Sequence, residues 1–124
     1  MKLLLDTHAL LALLSTDYPL SPAARAAMER ADAELIASAV NVWEIAIKRS
    51  VGKLTAPEDL IERTSEAGAE LLSITARHAH AVAVLPLHHR DPFDRLLIAQ
   101  AKLEGCAIVT RDPAFPAYSV PVVW

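Results

Sequence analysis

The stretch that most limits what this chain can fold into is His88-His89-Arg90-Asp91-Pro92-Phe93-Asp94-Arg95-Leu96-Leu97-Ile98-Ala99-Gln100-Ala101, which reads as the mouth and first turns of a buried helix. Asp91 is a good N-cap and Pro92 suits the first helical position. Asp94 falls third, where an acid answers free backbone N–H groups and the helix dipole. Phe93, Leu97 and Ala101 recur at i, i+4, while Leu96, Ile98, Ala99 and Leu103 make most of the circumference apolar, as for a helix pressed against a sheet. Gly105 closes it. Cys106 to Thr110 then reads as a short strand. A helix of about twelve residues rises ~18 Å and about six residues of strand run ~20 Å back. Asp94 and Asp112 therefore fall at one edge, the edge where open α/β sheets bind ligands.

The other elements follow the same alternation. Lys2 to Leu5 is expected as a central strand, with a helix from about Thr7 to Ser15 and a second opened by Ser21-Pro22 and running through Arg30. Glu34 to Ala37 reads as a strand, Val42 to Val51 as a helix stopped by Gly52, and Pro57-Glu58 as the start of a helix ending at Gly68. Ala69 to Ile74 is a strand, Ala76 to Val84 a helix and Val120 to Trp124 a last strand. Such alternation predicts an α/β fold with a mostly parallel central sheet and helices on both faces. At 124 residues it makes one domain, 1–124, able to bury a core.

The net charge of −3 means that a nucleic-acid partner needs local basic patches rather than a global field. A single cysteine, Cys106, in an expected strand fits a core position and a reducing cytoplasm. Met1 to Leu5 has the start of a signal peptide, but Asp6 interrupts it and no small-residue cleavage site follows. No uncharged run approaches the ~20 residues of a membrane span. The 53% hydrophobic content fits two readings, an apolar surface covered by another subunit or a well-filled core.

Four acids converge by these directions. Asp6 ends the first strand, Asp94 opens the helix, Asp112 follows the strand after it, and Glu44 lies at the start of the helix expected from Val42. Each has a bland role of its own. Asp6 is a natural N-cap, Asn41-Val42-Trp43-Glu44 fits a capping box, Asp94 answers the dipole, and Asp112-Pro113 makes a turn. Together, four carboxylates in one crevice repel and raise one another's pKa unless a cation sits between them. An all-oxygen set favours Mg²⁺ or Mn²⁺ over zinc and suits metal-assisted phosphodiester hydrolysis. Thr7 and Thr110 can support the ligands or cap strand ends. Lys48, Arg49, Lys53, Arg90, Arg95 and Arg111 can track a phosphate backbone or form a solvated face. His88-His89 can serve metal-free RNA cleavage, although paired histidines in a polar turn are commonly just solvated. His78 and His80 carry no signal.

Asp6-Thr7-His8-Ala9-Leu10-Leu11, Trp43-Glu44-Ile45-Ala46-Ile47-Lys48, Gly52-Lys53-Leu54, His89-Arg90-Asp91-Pro92-Phe93-Asp94-Arg95 and Thr110-Arg111-Asp112, taken in order, resemble the PIN-domain ribonucleases of the VapC toxin type. The resemblance covers nearly the whole chain. It implies a PIN fold, an Mg²⁺- or Mn²⁺-dependent endoribonuclease, a homodimer and a VapB-like antitoxin that holds it inactive. The family's acidic quartet falls on Asp6, Glu44, Asp94 and Asp112. Ala12 stands where that family frequently has Trp, and Asn41 where it frequently has Ser. Two alternatives differ in class. A receiver-like Mg²⁺-binding signalling domain needs a phosphoacceptor Asp ending a middle strand and a late Lys, but the middle strand is expected to end Ile74-Thr75 and no Lys follows Lys102. A catalytically silent PIN module used only for protein binding is disfavoured by the intact acidic set.

Overall fold

In the computed structural model, which describes residues 1–124, strand β1 (Lys2–Leu5) leads into helices α1 (Thr7–Leu14) and α2 (Pro22–Glu29). Strand β2 (Glu34–Ser38) is followed by α3 (Ala39–Ser50) and α4 (Leu60–Glu66), and β3 (Glu70–Leu72) by α5 (Ala76–Ala81) with a 3₁₀ turn at Val82–Val84. Helix α6 (Pro92–Glu104), strand β4 (Ala107–Val109), a second 3₁₀ turn (Phe115–Tyr118) and β5 (Val122–Val123) complete the chain. The five strands form one sheet in the order β3-β2-β1-β4-β5, and every pair is parallel.

A central parallel strand is covered on both faces, which is why Leu3, Leu4 and Leu5 form an unbroken apolar run and are all fully buried. Leu3 and Leu5 face a core with Leu10 of α1, Met28 of α2 and Ile45 of α3. Leu4 faces the opposite core, with Leu97 and Ile98 of α6 and Phe115 and Tyr118 of the second 3₁₀ turn. Local chemistry sets the helix ends as expected. Asp6 caps α1 by accepting Ala9 N–H at 2.7 Å, Ser21 caps α2, and Asp91 caps α6 by accepting from the N–H groups of Phe93 and Asp94. Gly105 stops α6 at φ +68°, a left-handed conformation that glycine adopts without a Cβ clash.

Several boundaries differ from the sequence expectation, among them β3, expected over Ala69–Ile74 and found at Glu70–Leu72, and α5, which gives way to a 3₁₀ turn at Val82. Helix α3 begins at Ala39 rather than Val42, because Ser38 is its cap. Helix α4 begins at Leu60 rather than at Pro57-Glu58. The last strand shrinks to Val122–Val123, with the buried 3₁₀ turn before it. The middle strand is also reassigned. β3 lies at the sheet edge and β1 at its centre, so the acid at the end of the middle strand is Asp6. What stands against a receiver is then the lack of a late Lys. No helix is long and apolar enough to cross a membrane.

Candidate active site

Parallel strands deliver their C-terminal ends, and the N-termini of the helices that follow, to one rim. That rim carries Asp6 after β1, Thr7 at the start of α1, Glu44 on α3 and Asp94 in the first turn of α6. Asp6, Thr7, Glu44, Lys48 and Asp94 line a single cleft of about 230 Å³. Asp112, beyond β4, reaches the same place from the other side of Asp94 through His89.

The capping box expected for Asn41 and Glu44 is instead made by Ser38 and Asn41. The Ser38 hydroxyl accepts the Val40 N–H at 3.0 Å, and Asn41 Oδ1 accepts the Ser38 N–H at 2.8 Å. Moving the helix start three residues back puts Glu44 in the second turn, too far along to cap anything, and turns it into the cleft. It is buried there. Thr7 Oγ1 donates to one carboxylate oxygen, Lys48 Nζ lies 2.7 Å from the other, and Asn41 Nδ2 donates to Thr7 Oγ1 at 3.2 Å. Thr7 and Asn41 therefore act as a relay that fixes the Glu44 rotamer. A second buried run starts from the same cap: Ser38 Oγ donates to Gln100 Oε1, Gln100 Nε2 lies 3.3 Å from His78 Nδ1, and His78 Nε2 lies 3.0 Å from Glu104.

His89, which a polar turn gives little reason to single out, is half-buried between two of the acids. Its Nε2 hydrogen-bonds Asp112 Oδ2 at 2.9 Å and lies 2.8 Å from Asp94 Oδ2. The residue that turns it inward is Tyr118, whose hydroxyl accepts the His89 N–H at 2.7 Å from 29 positions away. His88 stays exposed, edge-on to the Tyr118 ring.

Burial is the first cause of the shifts in this cleft. It pushes the Asp94 carboxyl from its ordinary 3.8 up to about 7, with Asp91, Glu44 and Asp112 adding repulsion and His89 opposing it. Asp6 is raised in the same sense by burial, against the Ala9 N–H and the Thr110 hydroxyl. Carboxyls that are brought together and held reluctant to ionise, with oxygen donors throughout the cleft, fit a hard divalent cation. Asp94 also sets a pH dependence. The native carboxyl keeps its proton between about pH 4 and about pH 7, where the unfolded chain has lost it, so the native state binds more protons and its stability falls as pH rises through that window. Thermal melts in chelator from pH 4 to pH 8 should show this slope, and Asp94→Asn should flatten it.

The basic residues divide into two groups. Arg90 and Arg111 are exposed beside His89 and Asp112 and form no ion pair, and Lys53 is exposed in the loop after α3. Arg49 is exposed and donates to the Pro57 carbonyl at 3.3 Å. Lys48 is bound to Glu44, whose hydrogen bond is the main reason its pKa is raised. Arg95 departs from its expected place among the phosphate contacts. Its guanidinium is turned into the 82–89 segment, donating to the carbonyls of Pro86 (2.9 Å), Val82 (3.2 Å), Leu85 (3.3 Å) and His89 (3.4 Å) and to the Tyr118 hydroxyl (3.3 Å). Thr110, buried, accepts the Asp112 N–H at 3.1 Å and sets the turn that carries that acid.

The family model of the PIN domain matches residues 3–121. Solved structures of similar fold include VapBC2 from Rickettsia felis bound to a DNA fragment from their promoter, at 15% identity over 98% of this chain and 97% of that one, with a TM-score of 0.71. FitAcB from Neisseria gonorrhoeae is 20% identical over 97% and 95% of the two chains, with a TM-score of 0.60. VapBC-1 from nontypeable Haemophilus influenzae is 14% identical over 98% and 96%, with a TM-score of 0.62. No curated protein matches the chain in sequence.

Proposed function

Because this chain belongs to the PIN-domain family, we propose that it is a divalent-metal-dependent endoribonuclease and the toxin of a toxin–antitoxin pair. The observation that carries this is the meeting of Asp6, Glu44, Asp94 and Asp112 from four separate segments at one sheet edge. These acids would hold Mg²⁺ or Mn²⁺. When bound, such an ion supplies Lewis-acid chemistry for phosphodiester hydrolysis. The chain's own residues supply the rest. Thr7 and Lys48 orient Glu44 from opposite sides, Thr110 fixes the Asp112 turn, and Asp91 anchors the helix that presents Asp94. Exposed Lys53, next to the cleft-lining Leu54, and Arg90 and Arg111, next to His89 and Asp112, track the RNA backbone together with exposed Arg49.

Trp43 and Ile47 on α3 and Val51 just past its end form an exposed apolar row, spaced at i, i+4, i+8. Such a row supports a covering protein, either a second copy in a homodimer or a VapB-like antitoxin, and the likeness to VapBC2 and FitAcB supports the latter kind of partner.

Metal dependence is the test. Mg²⁺ or Mn²⁺ should raise the melting temperature by mass action, and chelator should abolish RNA cleavage. Cleavage that persists in excess chelator and leaves cyclic phosphate ends would assign the chemistry to the histidines instead.

A further inference from the structure

The imidazole of His89 is fixed on three sides. Its Nδ1 accepts the Asp91 N–H at 3.1 Å, its ring lies edge-on to Phe115, and its own backbone N–H is held by the Tyr118 hydroxyl. A ring nitrogen that accepts a backbone N–H carries no hydrogen, so the hydrogen of the neutral ring sits on Nε2. There it meets Asp112 Oδ2 at 2.9 Å and Asp94 Oδ2 at 2.8 Å. A histidine that ligates a metal through Nε2 needs a bare lone pair on that atom, ordinarily with Nδ1–H donating to an acceptor. Here the neighbour of Nδ1 is a donor. The ring is set to give its hydrogen to Asp112, with Asp94 Oδ2 against the same nitrogen, and not to bind a cation.

We propose that His89 is a placeholder for the divalent cation, resting as this does on the cation site assigned above. Its Nε2, hydrogen-bonded to Asp112 and in contact with Asp94, fills the space between the two acids in the metal-free protein, and it has to withdraw before a cation can take those oxygens as ligands. Oxygens bonded to Mg²⁺ lie at about 2.1 Å from the ion, and a cation that close to both would collide with the Nε2 hydrogen. The placeholder also lowers affinity. If only molecules with the ring withdrawn can bind, the apparent dissociation constant is the intrinsic one divided by their fraction.

The experiment is a Mn²⁺ titration of the full chain, read by calorimetry and by pulsed EPR of the bound ion. His89→Ala should bind Mn²⁺ about tenfold more tightly than wild type, the equivalent of ~1.4 kcal/mol. His89→Gln, which keeps an amide N–H at similar reach, should stay near wild type. Wild-type protein should show no imidazole ¹⁴N coupling to the ion. Equal or weaker binding by His89→Ala, with melting that shows the variant folded, would overturn the placeholder role, as would a ¹⁴N coupling. Absence of Mn²⁺ binding to both wild type and His89→Ala would remove the metal-dependent function itself, a failure distinct from unchanged affinity in the variant.

Discussion

Replacing Asp94 by Asn is expected to all but eliminate RNA cleavage while leaving the metal-free protein as stable as before, or slightly more so. Asn reproduces the neutral hydrogen bonding of a carboxyl that already keeps its proton up to about pH 7, and it removes one of several crowded charges above that pH. If Asp94 only supported a helix start, the change would cost a few tenths of a kcal/mol, about the low end of charge–dipole effects, and activity would survive. As a metal ligand its loss should exceed the ~100-fold at the top of the range for residues that merely support a ligand, and the stabilisation produced by Mg²⁺ should shrink with it. Asp91→Ala is the matched control. It removes the cap that accepts from Phe93 and Asp94 and should cost about 1 kcal/mol, with most of the cleavage rate kept. Melting with and without Mg²⁺, beside cleavage of RNA, separates the two variants, and an active Asp94→Asn protein would sink the metal-site assignment.

Arg95→Met should be the most damaging change among the basic residues, and for a reason unrelated to RNA contact. The methionine keeps an apolar stem but leaves four carbonyl oxygens and the Tyr118 hydroxyl without their shared donor. Stranding partly buried acceptors should cost about 2–3 kcal/mol. The segment it releases carries His89, so cleavage should fall together with melting temperature. Arg90→Ala and Arg111→Ala should do the opposite, preserving the melt while weakening RNA binding and flattening its salt dependence. If Arg95→Met melts like wild type and only loses RNA affinity, its guanidinium belongs with the phosphate contacts.

What was legible in the sequence was what is decided locally or by period. Asp91, Pro92 and Gly105 bound α6 through bonds that span only a few residues, and Leu3-Leu4-Leu5 could be read as a doubly covered strand from its apolar run alone. The direction rules for parallel sheets brought Asp6, Glu44, Asp94 and Asp112 to one edge. The start of α3 was not legible, because Ser38 and Asn41 are equally good caps. The choice is made by Gln100, which takes the Ser38 hydroxyl from 62 positions away, and by Thr7, which engages Asn41. His89 and Arg95 are hidden from the sequence for one reason: both are organised by Tyr118, a residue in a 3₁₀ turn with no sequence period to betray it. The charge of Arg95 points to phosphate or to solvent, and its neighbours are carbonyls.

The strand order has a consequence for how the protein comes into being. One of the two neighbours of β1 is β4, so that Leu3 pairs with Ala107 about a hundred positions later in the chain. Contacts so far apart in the chain close late, after the entropy of the long intervening loop has been overcome. A nascent chain that has not delivered residues 107–112 lacks one wall of its central strand and the last of the four acids. The cleft therefore closes only once this long-range pairing has formed, and every intermediate that precedes it has an incomplete acidic rim.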